Sequence, residues 1–95
     1  MSVRTVIDED SVPGLPRGVR LKRDEARDQW VVLAPERIFV LDAIALEILR
    51  GCDGAANVAA IVDHLATRYD APRADIQHDV VGLLQDFADK GVIVA

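Results

Sequence analysis

The rhythm of apolar and polar positions changes once along this chain, from a period of two to a period near three and a half. Val19 and Leu21 alternate with Arg20 and Lys22, as in a strand with one buried face. Arg23 to Asp28 is a polar connection, and Gln29-Trp30-Val31-Val32-Leu33 reads as the second strand. Ala34-Pro35-Glu36-Arg37 fits a type I turn with proline at its second position, where its fixed φ is already correct. Ile38 to Leu41 then returns as the third strand of a meander. The stretch ERIFVLD, residues 36–42, sets four apolar side chains in succession where a half-buried strand should alternate. Its second face must be covered by the chain's own helices, by a second copy or by a partner.

From Asp42 onward the period is helical. Asp42 can cap a short helix whose apolar positions are Leu41, Ile44, Ala45, Ile48 and Leu49, with Gly51 expected as a left-handed stop. Asn57 caps the next, with Val58, Ile61, Val62, Leu65 and Tyr69 on one stripe. Pro72 fits the first turn of a third, whose stripe is Ile76, Val80, Leu83, Leu84 and Phe87 and whose end is Gly91. Val92-Ile93-Val94 is a candidate final strand that could pair with residues 38–41. Residues 1–16 show no sustained period, carry the acidic run Asp8-Glu9-Asp10, and hold Pro13-Gly14-Leu15-Pro16, which interrupts helix and strand alike. The expected organisation is a flexible arm over residues 1–14 and one domain over residues 15–95.

Composition narrows the function. Ninety-five residues support one modest core and little room for a large buried cofactor. Only four residues are aromatic, so aliphatic side chains must fill that core and stacked bases find no platform. No apolar stretch approaches the ~18 residues of a membrane span, and no apolar run follows Met1-Ser2-Val3-Arg4 as in a signal peptide. The chain is therefore expected to be cytoplasmic. Cys52 is the single cysteine, which excludes an internal disulfide. The net charge of −5 lies wholly in residues 41–95, whereas Arg17, Arg20, Lys22 and Arg23 form a small basic patch before it.

Three strands followed by three helices is the order of a winged helix-turn-helix, so a nucleic-acid-binding protein is the alternative function. The third helix, which would enter the major groove, carries Asp75, Asp79, Asp86 and Asp89 against Arg73 and Lys90. Such a helix repels phosphates. Catalysis has little support either. His64 and His78 fall on different helices without a metal-ligand spacing, Cys52 has no thiolate-forming neighbour, and Ser2 and Ser11 sit in the arm. Gly51 and Gly54 flank a turn, without the pattern of a phosphate loop. No enzyme activity, metal or cofactor is expected.

LPRGVRLKRDEARDQWVVLAPERIFVLD, followed in order by EILRGCDG, IVDHLATRY and APRADIQHDVVGLLQDFADKGVI, closely resembles the PqqD family of pyrroloquinoline quinone biosynthesis. The similarity runs from about Leu15 to Val94, and its most specific parts are Trp30 to Arg37 and Cys52-Asp53-Gly54. The resemblance implies a non-enzymatic peptide chaperone, a recognition element that holds the precursor peptide PqqA and presents it to the radical-SAM enzyme PqqE, without nucleic acid or membrane as partners. In such elements the peptide adds a strand beside the third strand and lies against the third helix, the strand-addition mode of recognition. Carried onto this chain, the peptide-binding residues would be Arg37, Ile38, Phe39, Val40 and Leu41 on the strand and Ile76, Asp79, Val80 and Leu83 on the helix. Core filling is the competing assignment for Ile38, Val40, Ile76, Val80 and Leu83, since so small a chain needs every apolar contact. Solvation competes equally for Asp79. The same edge could pair with a second copy, and exchange of N-terminal strands is a second route to a homodimer. The fold expected is α+β, a three-stranded antiparallel sheet followed by three helices.

Overall fold

The computed structural model describes residues 4–95, and it has the expected α+β order. Strands β1 (Arg20–Asp24), β2 (Gln29–Ala34) and β3 (Arg37–Leu41) form one antiparallel sheet in the order β1-β2-β3. Helices α1 (Ala43–Arg50), α2 (Val58–Arg68) and α3 (Arg73–Asp89) follow. Trp30 lies opposite Leu41, Val32 opposite Phe39, and Ala34 opposite Arg37.

The hairpin between β2 and β3 departs from the expected turn type. Glu36 has φ +61°, which a type I turn lacks and which the third position of a type II turn demands. Proline at the second position suits both types, so Pro35 could not discriminate them. The helix starts are as expected: the Asp42 carboxylate accepts from Ala45 N at 2.7 Å, and the Asn57 side chain accepts from Ala60 N at 2.9 Å. Gly51 differs in its reason for being glycine. Its φ is −77°, so no left-handed turn requires it; instead a β-carbon there would stand 3.0 Å from Ile61 Cγ1. Glycine lets α1 end against α2.

Val32, Leu41, Ile48, Leu49, Val58, Val62, Leu65, Val80, Leu84 and Val92 form the centre of an aliphatic core under one face of the sheet. Val94 reaches only an isolated bridge to Gly14 and does not pair with β3. Among the described residues, then, β3 is an edge strand.

Residues 4–14, expected to be a flexible arm, are laid along the domain instead. Ile7 is 4% exposed within the core, and its N–H donates to Gln85 Oε1 at 2.9 Å. Gln85 returns a bond from Nε2 to Thr5 O at 2.8 Å. The α2 N-terminus, whose first amides lack partners inside the helix, is closed by the arm: Val58 N donates to Ser11 O and Ala59 N to Glu9 O. Gly14 exchanges both backbone bonds with Val94. A segment held by backbone bonds and two separate buried side chains, Ile7 and Pro13, leaves no periodic trace in sequence. Residues 1–3 of the expected arm lie outside the described residues.

Candidate functional site

Beyond its pairing with β2, the other edge of β3 has no strand beside it among the described residues. The hairpin has a two-residue loop, so the closing pair Ala34–Arg37 carries the turn's own hydrogen bond. Alternation along an antiparallel ladder then directs Arg37, Phe39 and Leu41 to bond β2 and directs the N–H and C=O of Ile38 and Val40 to the free edge. Side chains alternate with the same two-residue period, so Phe39 and Leu41 point toward the helices and Ile38 and Val40 away from them.

On the helix side, Leu41 is buried and Phe39 half-buried, with the Phe39 ring edge-on to Phe87 at a centroid distance of 5.7 Å. The Arg37 guanidinium lies 5.6 Å and the Lys90 ammonium 5.7 Å from the centre of the Phe39 ring. These contacts place the start of β3 against the C-terminal end of α3. The end of β3 leads into α1, where Ile44, Ile48, Leu65, Tyr69, Ile76 and Val80 line an open pocket of about 350 Å3, with Asp70 and Asp79 also in its lining. β3 thus starts beside the C-terminal end of α3 and ends toward the pocket on its N-terminal half. The strip between these two places is the candidate groove, with Arg37 and Lys90 at one end and Asp70 and Asp79 at the other.

Each expected site residue can now be located. Arg37, Phe39, Ile76, Asp79 and Leu83 lie on or beside this groove, with Ile76 and Leu83 half-buried and Asp79 exposed. Val80, 1% exposed, and Leu41 belong to the core and back the groove from beneath. Ile38 and Val40 are not core: they are 67% and 64% exposed on the far face of the sheet. There they join Val31 and Leu33 in an apolar strip bordered by Lys22 and Arg27. The second face of ERIFVLD is thus left uncovered by the chain's own helices. Ile44, Phe87 and Lys90 were not singled out by sequence as groove residues. Ile44 and Phe87 were visible as stripe positions, but only the packing of α1 and α3 brings them to this edge.

Other reactive groups lie elsewhere. Cys52 is buried, and desolvation pushes its thiol up to about 12, so it is held as a neutral S–H donating toward Ile48 O at 3.4 Å. Asp53 accepts from Ala55 N and Ala56 N, which hold its carboxyl below the usual range. His64 and His78 are exposed, and no cluster of three potential metal ligands occurs among the described residues. Among the described residues, no helix is long and apolar enough to cross a membrane.

Fold and groove together define a class: a small α+β domain whose open sheet edge runs alongside its last helix. Residues 29–93 match the family model for PqqD, coenzyme PQQ synthesis protein D, and the chain belongs to this family. It is 59% identical over 90 residues to a PqqA binding protein of Rhodopseudomonas palustris strain TIE-1, covering 95% of this chain and 88% of that one. It is 45% identical over 89 residues to a PqqA binding protein of Xanthomonas campestris pv. campestris strain B100, covering 94% and 97%. The solution structure of the PqqD truncation of Methylobacterium extorquens PqqCD, described as a stand-alone RiPP recognition element, superposes with a TM-score of 0.81 at 43% identity, covering 94% of this chain and 95% of that one. Crystalline PqqD from Xanthomonas campestris gives 0.60 at 44% identity, covering 94% and 99%.

Proposed function

We propose that this chain is a cytoplasmic, non-enzymatic peptide chaperone that binds the precursor peptide PqqA and presents it to the radical-SAM enzyme PqqE. The observation that carries this reading is the unpaired edge of β3 standing beside the half-buried apolar face of α3. PqqA adds a strand there. The backbone groups of Ile38 and Val40 supply the ladder bonds, while Phe39, Ile76 and Leu83 receive alternate peptide side chains. Leu41 and Val80 act from the core by fixing the positions of the strand and helix, and Arg37 and Asp79 stand at the two charged ends. The far face of the sheet stays uncovered when the groove is filled, which leaves surface for a second protein such as the enzyme. The relatives named for PqqA binding support the choice of peptide.

Titration of labelled protein with PqqA, followed by amide shifts, tests the assignment. The largest perturbations are expected at Ile38 to Leu41 and at Ile76 to Leu83, with the strip of Val31 and Leu33 less affected. Perturbation confined to α2 or to the β1–β2 connection would exclude this groove. The same free edge is competent to pair with a second copy, and in that case PqqA should displace the homodimer in sedimentation runs.

A further inference from the structure

The groove carries an order of charge that neither its shape nor its apolar lining requires. At the start of β3, Arg37 and Lys90 flank the Phe39 ring. Lys90 is partly answered by Asp86 at 2.8 Å, but Arg37 enters no salt bridge among the described residues. Asp89, one turn nearby, is turned to Arg4 on the arm side of α3. At the other end, Asp70 and Asp79 both line the apolar pocket and both lack an ion pair among the described residues. The neighbouring bases are already engaged: Arg73 with Glu9 and Asp63, and Arg68 with Glu47. One end thus has an uncompensated cation and the other two uncompensated carboxylates, across a strip of apolar side chains.

We propose that this charge order selects among peptides that add antiparallel to β3, favouring one with a basic side chain at Asp79 and Asp70, apolar side chains over Phe39, Ile76 and Leu83, and an acidic side chain at Arg37 and Lys90. The proposal rests on the groove being the peptide site. Asp79 and Lys90 are separated along α3 by about 16 Å at ~1.5 Å per residue. An extended peptide covers that length in about five residues. Continuing the antiparallel sheet puts the peptide's N-terminal end beside Leu41, so the basic residue precedes the acidic one in its sequence. The reverse order sets lysine against Arg37 and a carboxylate against Asp79, two repulsive contacts in place of two attractive ones.

The experiment uses two synthetic peptides of identical composition, acetylated and amidated to remove terminal charge. Each has alternating threonine and valine between one lysine and one aspartate four positions apart, an even spacing that keeps both charges and the central valine on one face of the strand; one has lysine first, the other aspartate first. Binding is followed by amide shifts of the parent chain and of the Arg37→Asp/Asp79→Lys double variant, both changed positions being exposed. The lysine-first peptide should bind the parent roughly fivefold or more tightly, the range expected for two partly exposed charge contacts. The double variant, which keeps Asp70 and Lys90 and so has one charge of each sign at either end, should abolish that preference, and high salt should erase it in the parent. Equal binding of both peptides, preference for aspartate first, or an unchanged preference in the double variant overturns the charge order while shifts at Ile38 and Val40 still uphold the groove. Absence of shifts at β3 and α3 with either peptide overturns the groove reading, and the charge order with it.

Discussion

Phe39 on β3 meets Phe87 on α3 edge-on, with ring planes at 72° and centroids 5.7 Å apart. Phe87 is buried, whereas Phe39 is half-buried and borders the groove. The two rings couple the free strand edge to α3, and their unequal burial separates a core residue from one that borders the proposed peptide groove.

Phe87→Ala should cost about 3–5 kcal/mol, the range for emptying a buried phenylalanine site. Phe39→Ala should cost about 1–2 kcal/mol, because less area is withdrawn from water and one aromatic contact is lost. Urea unfolding measures both. Peptide affinity should fall sharply in Phe39→Ala at temperatures where that variant is fully folded. Equal destabilisation by the two changes would mean that Phe39 is simply core.

Proline substitution tests the phase of the ladder. Ile38→Pro and Val40→Pro remove N–H groups that face the open edge, so both variants should stay folded and lose peptide binding. Phe39→Pro removes a donor to β2 and should lower the melting temperature clearly. Circular dichroism melts together with peptide titration separate the phenotypes. Unimpaired binding in folded Ile38→Pro and Val40→Pro would remove the strand edge from the site.

Deletion of residues 1–12 should weaken the domain. It removes the buried Ile7, the carbonyls of Glu9 and Ser11 that close the α2 N-terminus, and the two bonds from Arg4 to Asp89 at 2.9 Å. Burying one isoleucine alone contributes about 2 kcal/mol, and a loss of that size lowers the midpoint by roughly 10 °C in a domain of this length. The exposed ion pair adds little. A truncated chain that melts within a few degrees of the parent would show that the arm's contacts do not stabilise the fold.

Acid should destabilise the chain through two identified carboxylates. Asp53 is held low by the backbone bonds from Ala56 and Ala55, and Asp89 by the hydrogen bond from Arg4. A folded-state pKa below the unfolded value of about 3.9 means that the stabilisation is complete above that pH and is lost as pH falls through the depressed folded value. Urea midpoints should therefore drop below about pH 4, and less steeply in Asp53→Asn and Asp89→Asn. Parallel acid curves for the parent and both variants would mean that other groups govern this limb.

The sequence by itself determined the element order, two helix caps, the helical stripes and the family, because capping and periodicity are local and the similarity runs the length of the domain. It also marked ERIFVLD as a strand with two apolar faces. What it could not determine was where distant segments meet. Glycine at 51 is explained by the approach of Ile61, Glu36 by a turn conformation that Pro35 leaves open, and residues 4–14 by backbone bonds that carry no side-chain pattern. The groove belongs to this second kind. Its residues were named from the family resemblance, but only the tertiary structure sorted them: Leu41 and Val80 beneath it, Ile38 and Val40 on the far face of the sheet, and Ile44, Phe87 and Lys90 brought in from α1 and α3. A two-residue period says that alternate side chains point opposite ways; which way holds the helices depends on contacts across tens of residues.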